Sequence, residues 1–294
     1  ENLPPGPTNA LYRLKLCSPD SRQPMEWNQP RISGDPPMAR WLHSATAIDK
    51  FRILYFGGFH SDTNRFNDVN ILDTKAMMWS QPLGSMGDFT PRGNHIPTSN
   101  NSIAVPCPRG GHSANLINGE ILIFGGYGGS GYGRRDFNDI FRFNVSRFEW
   151  MKTPALKGKV PEGRSGHSAN VVKGKLFVFG GWNSQMQFND LNILSLDEDQ
   201  WTWSEANVDL GISRWCHTAV SVAAIPNWRL FIFGGSTGMV NERNTRSTYS
   251  NEIIVLDCGT MTIQTPEVMG DRPPPRADTE AVYDSKNSRL LIFG

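Results

Sequence analysis

The residues best suited to chemistry in this chain are histidines that recur at one position of a repeat. They are His43, His112, His167 and His217. Each histidine lies three residues after an arginine and directly before a serine or threonine. Imidazoles can bind metal ions or move protons, but a metal centre needs ligands that converge on one point and partners that orient them. One histidine per repeat is more typical of a residue that maintains the repeat, so we predict no metal site, no catalytic residue and no cofactor.

Arginines mark the start of the same repeat. They are Arg40, Arg109, Arg164, Arg214 and Arg276, and in the fifth repeat Thr279 stands where the others have histidine. Such cations could form a ring around one mouth of a channel and bind an acidic or phosphorylated segment. A guanidinium can also bond the carbonyl groups of a neighbouring turn. Because a residue present in every repeat usually maintains it, we predict a structural role for the arginines.

Short apolar runs that end in glycine must position these residues. The runs are 53–58, 121–126, 176–181, 230–235 and 290–294. Large aliphatic residues and phenylalanine dominate them, which predicts buried strands. The glycines are predicted to supply positive φ or close backbone approach where the chain leaves the sheet. These structural glycines are Gly57, Gly58, Gly125, Gly126, Gly180, Gly181, Gly234 and Gly235.

Two further strands complete each repeat. An Asn-Asp or Asn-Glu pair precedes an apolar strand, and a tryptophan follows the acidic residue by eleven positions. The tryptophans are Trp79, Trp150 and Trp201, with Ile263 in the fourth repeat. Four strands per repeat, at a spacing of about fifty residues, indicate the blades of a β-propeller.

The chain resembles the kelch-repeat family in its R-x-x-H-S motif, its aliphatic-F-G-G runs, its Asn-Asp pairs and its spaced tryptophans. The resemblance covers nearly the whole chain and implies an all-β ring of four-stranded blades around a central channel, with the His-Ser strand innermost. We expect residues 1–294 to form one propeller, with units starting near 40, 109, 164, 214 and 276. Residues 9–30 are predicted to share the last blade with 276–294, giving four continuous blades plus one composite, about five in all. A truncated ring of about six blades is the alternative.

Bulk composition disfavours several classes of function. The 294 residues carry a net charge of +1 and no apolar run of membrane-spanning length, so we expect neither a nucleic-acid nor a membrane partner. The cysteines are Cys17, Cys107, Cys216 and Cys258, and they include no C-x-x-C pair. Reduced thiols in a cytoplasmic protein are therefore the expected state.

Partner-binding residues are predicted in the loops that differ between repeats. Loops after each Gly-Gly and before each histidine strand emerge at the same end of the ring, because consecutive strands alternate in direction. Residues 83–108 form a long insertion, which is either functional or without order. The candidates are Trp41, Phe59, His60, Tyr127, Tyr132, Arg134, Arg135, Trp182, Trp215, Arg243, Arg246 and Tyr249. Tyrosine, tryptophan and arginine are the usual anchors of protein recognition; for Trp41 and Trp215, packing between blades is the alternative.

A non-catalytic protein-interaction scaffold is the predicted function. Rigid loops lose little entropy on binding, and the loop arginines favour an acidic protein or peptide segment as partner. One alternative is a carbohydrate-binding propeller that uses Trp41, Trp182 and Trp215. Another is a metal oxidase, for which only His60 and His95 lie in loops. The resemblance also implies a propeller domain within a larger enzyme or a ubiquitin-ligase or phosphatase assembly, so further domains of the same parent chain are possible partners.

Overall fold

The computed structural model describes residues 6–16, 25–82, 104–129, 133–198, 200–238 and 248–294. These residues form β-strands, turns and loops, with no α-helix among them. Accordingly, no helix in these segments is long and apolar enough to cross a bilayer.

The strands follow one another in repeated sets. The N-terminal segment forms β1 (Arg13–Lys15) and β2 (Glu26–Asn28). Unit one contains β3 (Ser44–Ala47), β4 (Arg52–Phe56), β5 (Val69–Asp73) and β6 (Met78–Ser80). Unit two contains β7 (Arg109–Gly110), β8 (Ser113–Ile117), β9 (Glu120–Phe124), β10 (Tyr127–Gly128), β11 (Arg135–Asp136), β12 (Ile140–Asn144) and β13 (Glu149–Met151), and is followed by β14 (Ala155–Lys157). Unit three contains β15 (Ser168–Val172), β16 (Lys175–Phe179), β17 (Trp182–Asn183), β18 (Met186–Gln187), β19 (Leu191–Leu196) and β20 (Gln200–Glu205). Unit four contains β21 (Thr218–Val222), β22 (Arg229–Phe233), β23 (Ile253–Asp257) and β24 (Thr262–Gln264), and the last segment forms β25 (Glu280–Asp284) and β26 (Arg289–Phe293).

Each complete unit is an antiparallel sheet whose principal strands pair in chain order. The sheets are β3-β4-β5-β6, β8-β9-β12-β13, β15-β16-β19-β20 and β21-β22-β23-β24, and β14 adds a parallel edge strand to the third. The first strands of successive units lie side by side in the order β3, β8, β15, β21, β25. This succession of four-stranded blades, with the histidine strand innermost, confirms the predicted all-β propeller architecture.

The second strand of a blade is buried on both faces, which explains its unbroken apolar sequence. In β9, Ile121 and Ile123 pack with Leu54 and Phe56 of unit one. The intervening Leu122 packs in a different cluster, with residues of unit three. Successive side chains of a strand point to opposite faces, and here each face contacts a neighbouring blade, so both sets must be apolar.

The N-terminal pair has the register of the third and fourth strands of a unit. Leu14 lies opposite Trp27 in this pair, as Leu72 lies opposite Trp79 in unit one. Asn9 Nδ2 donates to the carbonyl oxygen of Pro37 at 3.3 Å. The repeated asparagines of the other units make the same bond to a residue three positions before the next arginine: Asn67, Asn138, Asn189 and Asn251.

The two ends of the chain make an aromatic contact of a kind that also occurs between neighbouring units. The ring centroids of Trp27 and Phe293 lie 6.1 Å apart, edge to face. Elsewhere the fourth-strand tryptophan contacts the phenylalanine before Gly-Gly of the preceding unit, as Trp150 contacts Phe56 at 5.5 Å. In the described part of the chain, β1 pairs with β2 and β26 pairs with β25, as separate two-stranded sheets. The shared last blade and the alternative of about six blades therefore both stay predictions.

The tryptophan expected at Trp201 lies elsewhere in the register of unit three. Trp203 lies opposite Leu194, which is the position that Trp79 and Trp150 hold in their units. Trp203 also contacts the preceding blade, at 5.1 Å from the ring of Phe124. Counting eleven residues failed because the hairpin between β19 and β20 is two residues longer than its counterparts, so Trp201 is additional to the repeat.

Candidate functional site

The repeated arginines are buried in the blades, where their charges are paired. The side chain of Arg164 is fully buried. Its Nη1 donates to the carbonyl oxygen of Gly180 at 2.9 Å, and Nη1 and Nη2 donate to the two carboxylate oxygens of Asp190 at 2.6 and 2.8 Å. Its Nε donates to the carbonyl oxygen of Glu162, and its guanidinium lies 4.0 Å from the ring centroid of Phe188. The arginine thus joins the Gly-Gly turn to the Asn-Asp pair of its own unit.

The same arrangement recurs in the other units. The further ion pairs are Arg40 with Asp68, Arg109 with Asp139, and Arg214 with Glu252. Arg276 donates to the carbonyl oxygens of Gly294 and Pro274. Because the first four guanidinium charges are buried and paired within their units, these arginines do not form a free cationic ring at the channel mouth.

Replacing Arg164 with alanine is expected to remove about 3 kcal/mol of unfolding free energy. The substitution removes the charged donor of Asp190 and the side-chain donor of the Gly180 carbonyl. Asp190 keeps its bond from Asn192 Nδ2 and is partly exposed, which keeps the loss near the lower end for buried pairs. Urea unfolding measures it. Arg276→Ala is the control, because that arginine bonds carbonyls and pairs with no carboxylate of the described residues, and we expect a loss of about 1 kcal/mol. Equal losses in the two variants would contradict the importance of the buried ion pair.

The repeated histidines join successive blades at the innermost strands. Nε2 of His112 lies 2.9 Å from Ser44 Oγ, within hydrogen-bond distance of the preceding unit. His167 has the same relation to Ser113, and His217 to Ser168. Burial, with the nearby Arg164 and Arg214 charges, lowers the pKa of His167 and of His217 to about 3. These imidazoles are therefore neutral at physiological pH, and their hydrogen bonds join successive units.

The variable loops form one connected surface, which we call the loop face. Its described residues are Trp41, 59–66, 127–129, 133–136, 182–188, Trp215, 236–238 and 248–250. Hydrogen bonds tie the loop of each unit to the next. Arg65 Nη1 donates to the carbonyl oxygen of Gly129 at 3.1 Å, and Arg134 Nη2 donates to that of Asp62 at 3.1 Å. Gln187 Nε2 donates to the carbonyl oxygen of Gly238 at 2.7 Å. The loops are thus held relative to one another before any partner binds.

An acidic residue joins units two and three on the same face. Asp136 accepts hydrogen bonds from Ser165 Oγ at 3.0 Å and from Ser184 Oγ at 2.9 Å. Burial raises the pKa of Asp136 above its ordinary value. The carboxylate therefore holds the loop of unit three against that of unit two.

Sequence reasoning missed Arg65, which lies in the loop face where the loops of units one and two meet. The guanidinium of Arg65 lies 5.1 Å from the ring centroid of Phe59 and 5.4 Å from that of Tyr127. Burial, and then the charge of Arg134, lower the pKa of Arg65. Trp41 contacts Phe59 edge to face at 6.0 Å. Arg65 lies two residues before the Asn-Asp pair in a variable loop, and this position could have identified it.

Two tryptophans lie together in the loop face where units three and four meet. The rings of Trp182 and Trp215 are 5.5 Å apart and inclined at 31°, and both side chains are half-buried. Trp215 pairs through its backbone with Ser236, which in turn pairs with the exposed Tyr249. The structure therefore brings three predicted aromatic residues together at the junction of units three and four.

The remaining predicted residues divide into two groups. Arg135 is exposed, with its guanidinium 5.3 Å from the Phe137 ring, and His60 Nδ1 is within hydrogen-bond distance of the Ala39 carbonyl oxygen. Tyr132, Arg243, Arg246 and residues 83–103 of the insertion lie outside the described residues. Within the segments that the structure describes, no three His, Cys, Asp or Glu side chains are grouped closely enough to hold a metal ion.

Comparison of the sequence with known proteins matches the chain to one family. The KLHDC2/KLHL20/DRC7 Kelch-repeats domain model matches residues 4–104 and 97–243. The chain is 30% identical over 298 residues to the dynein alpha chain of the flagellar outer arm of Chlamydomonas reinhardtii, covering 97% of this chain and 6% of that protein. Acyl-CoA-binding domain-containing protein 4 of Arabidopsis thaliana is 29% identical over 265 residues, covering 89% of this chain and 36% of that protein.

A third relative carries the repeat in its name. Kelch domain-containing protein 3 of Rattus norvegicus is 32% identical over 219 residues, which cover 60% of this chain and 55% of that protein. The chain thus spans about half of this relative's length and a much smaller part of the other two. With the repeated blades, the buried arginines and the family model in agreement, the chain belongs to the kelch-repeat family.

Proposed function

We propose that the loop face binds a segment of another protein and that the chain itself catalyses no reaction. Kelch propellers are typically non-catalytic and mediate protein–protein interactions. The observation that carries the proposal here is the set of hydrogen bonds that joins the loops of successive units. A surface ordered in advance loses little conformational entropy when a partner binds.

The chemistry of the loop face suggests what the partner segment contains. Arg134 is exposed and its charge acts on Arg65, and Arg135 is exposed next to Arg134 in the chain, so this region suits an acidic side chain. The Trp182–Trp215 pair with Tyr249, at the junction of units three and four, suits an apolar or aromatic side chain further around the face. Aromatic and arginine side chains of this kind provide most of the affinity in many protein interfaces.

Removing the two exposed arginines is expected to weaken capture of the partner by about tenfold or more. The double variant Arg134→Ala/Arg135→Ala should fold normally, since surface substitutions usually change stability by less than about 0.5 kcal/mol. Affinity capture with quantitative mass spectrometry identifies the partner, and titration of that purified partner then measures the affinity of each variant. Arg243→Ala and Arg246→Ala, at the two candidates that lie outside the described residues, form a second pair of substitutions.

The control removes two cations from the opposite end of the propeller. Arg147 and Lys175 are exposed near hairpins there, so Arg147→Ala/Lys175→Ala changes the net charge equally without touching the loop face. The proposal fails if the loop-face variant retains the partner as well as wild type does. A hit on a glycan array that is lost on Trp182→Ala would instead favour the carbohydrate-binding alternative.

The proposal also concerns the longer protein to which this propeller belongs and the cellular compartment in which it acts. Since this chain covers only part of each relative, we propose that it acts as the propeller of a longer protein, with other domains of that protein among its contacts. Among the described residues, Cys107, Cys216 and Cys258 are free thiols. Free thiols suit the reducing conditions of the cytoplasm, which is the location that we propose.

A further inference from the structure

A cleft lies between units two and three, at the end of the propeller opposite the loop face. We call this end the hairpin face, because it carries the turns that join first to second strands (118–119) and third to fourth strands (197–198). The cleft has a volume of about 200 Å³. Its lining consists of Ile117, Asn118, Glu120, Leu122, Arg142, Pro154, Leu196, Asp197, Glu198 and Trp201.

The cleft depends on features that are specific to unit three. The longer hairpin between β19 and β20 introduces Trp201 in addition to the framework tryptophan Trp203. Trp201 lies opposite Leu196 in the hairpin, and β14 pairs with the other edge of β20, where Leu156 lies beside Trp201. Framework residues recur in every blade, whereas this tryptophan does not, so the repeat alone does not account for its presence.

The lining of the cleft carries more negative than positive charge. Arg142 donates through Nε and Nη2 to both carboxylate oxygens of Glu120, each at 2.8 Å, and through Nη1 to the carbonyl oxygen of Lys152 at 3.0 Å. This pairing neutralises Arg142, the cation among the described residues of the lining. Asp197 and Glu198 are exposed at the rim and form no ion pair with another described residue, so the described part of the lining has a net negative charge.

We propose that this cleft binds an arginine side chain of a partner protein. The volume is below the range of about 300–1,000 Å³ typical of small-molecule sites, and it suits one long side chain. Ile117 and Leu196 would contact the methylene groups, while Asp197 and Glu198 would accept hydrogen bonds from the guanidinium. Arginine fits better than lysine because its planar fork bonds two carboxylate oxygens at once. The site is independent of the loop face, so it stands or falls separately from the proposed function.

The test is an NMR titration of the whole chain with the peptide N-acetyl-Gly-Arg-Gly-amide. We expect saturable shifts, at millimolar peptide, of the Trp201 indole N–H and the Asn118 amide. The matched peptide contains citrulline, which has nearly the same shape as arginine but no charge, and we expect it to cause no saturable shift. The proposal is wrong if the arginine peptide causes no saturable shift of these signals or if the citrulline peptide causes the same one.

Variants of the rim provide a second measurement. Asp197→Asn/Glu198→Gln should bind the arginine peptide about tenfold more weakly, since both charge-assisted bonds are lost. Both residues are exposed, so the fold should be unaffected. Glu267→Gln, at an exposed carboxylate in the segment after β24, should bind the peptide as wild type does. Undiminished binding by the rim variant would overturn the assignment of the two carboxylates.

Discussion

Replacing Gly180 with valine is expected to destabilise the propeller by about 5 kcal/mol, a large part of the stability of a typical domain. Gly180 has φ of +64°, a conformation that costs a non-glycine residue about 1–2 kcal/mol and a β-branched one more. A Cβ at this position would lie 2.7 Å from the carbonyl oxygen of Arg214 and 3.0 Å from His217 Cε1. Both atoms belong to unit four, so the extra methyl groups would push two blades apart.

A second glycine separates the two contributions to this loss. Gly174 has φ of +74°, but a Cβ there would meet no atom within 4 Å. Gly174→Val should therefore lose only the backbone cost of a β-branched residue at positive φ, about 2 kcal/mol, in the same urea unfolding experiment. If Gly180→Val were no more destabilised than Gly174→Val, close approach of the blades would not be the reason for the repeated glycine.

Acid is expected to destabilise the protein as the pH falls below about 6.5. Burial lowers the folded-state pKa of His112, His167 and His217, so the unfolded chain binds protons first. Their contribution is complete above the unfolded pKa of about 6.5 and declines until the folded pKa is reached. From about pH 7 to pH 5, His167 and His217 should each remove about 2 kcal/mol, or about 4 kcal/mol together, and His112 should lower the stability in the same direction.

Unfolding free energies measured at several pH values test this expectation directly. His167→Gln removes one titrating group, so its stability should fall with a slope shallower by about 1.4 kcal/mol per pH unit below pH 6. Comparing slopes rather than absolute stabilities removes the effect of the substitution itself. A wild-type stability that stays constant between pH 7 and pH 5 would contradict the buried, neutral state of these histidines.

Several features of the protein follow from local sequence alone. The apolar runs predict buried strands because a strand between two blades must be apolar on both faces. Glycine after each run indicates where the chain must take positive φ, and both glycines of each Gly-Gly pair do so. A motif that recurs in every blade maintains the structure of the blade. Repetition alone therefore distinguishes the structural positions from the variable loops.

Contacts between distant positions were beyond sequence reasoning. Arg65 bonds the carbonyl of Gly129, 64 residues away, and His112 meets Ser44 across 68 residues. Similarly, the two extra residues in the hairpin of unit three moved the framework position from Trp201 to Trp203.

The sequence by itself determined the repeat, the strands of each blade and which loops vary. Only the tertiary structure decided how the charges are paired, which loop residues lie together, and where a cleft opens between blades. The physical reason is that strand formation depends on neighbouring residues, whereas pairing and packing depend on which side chains the ring brings together from different units.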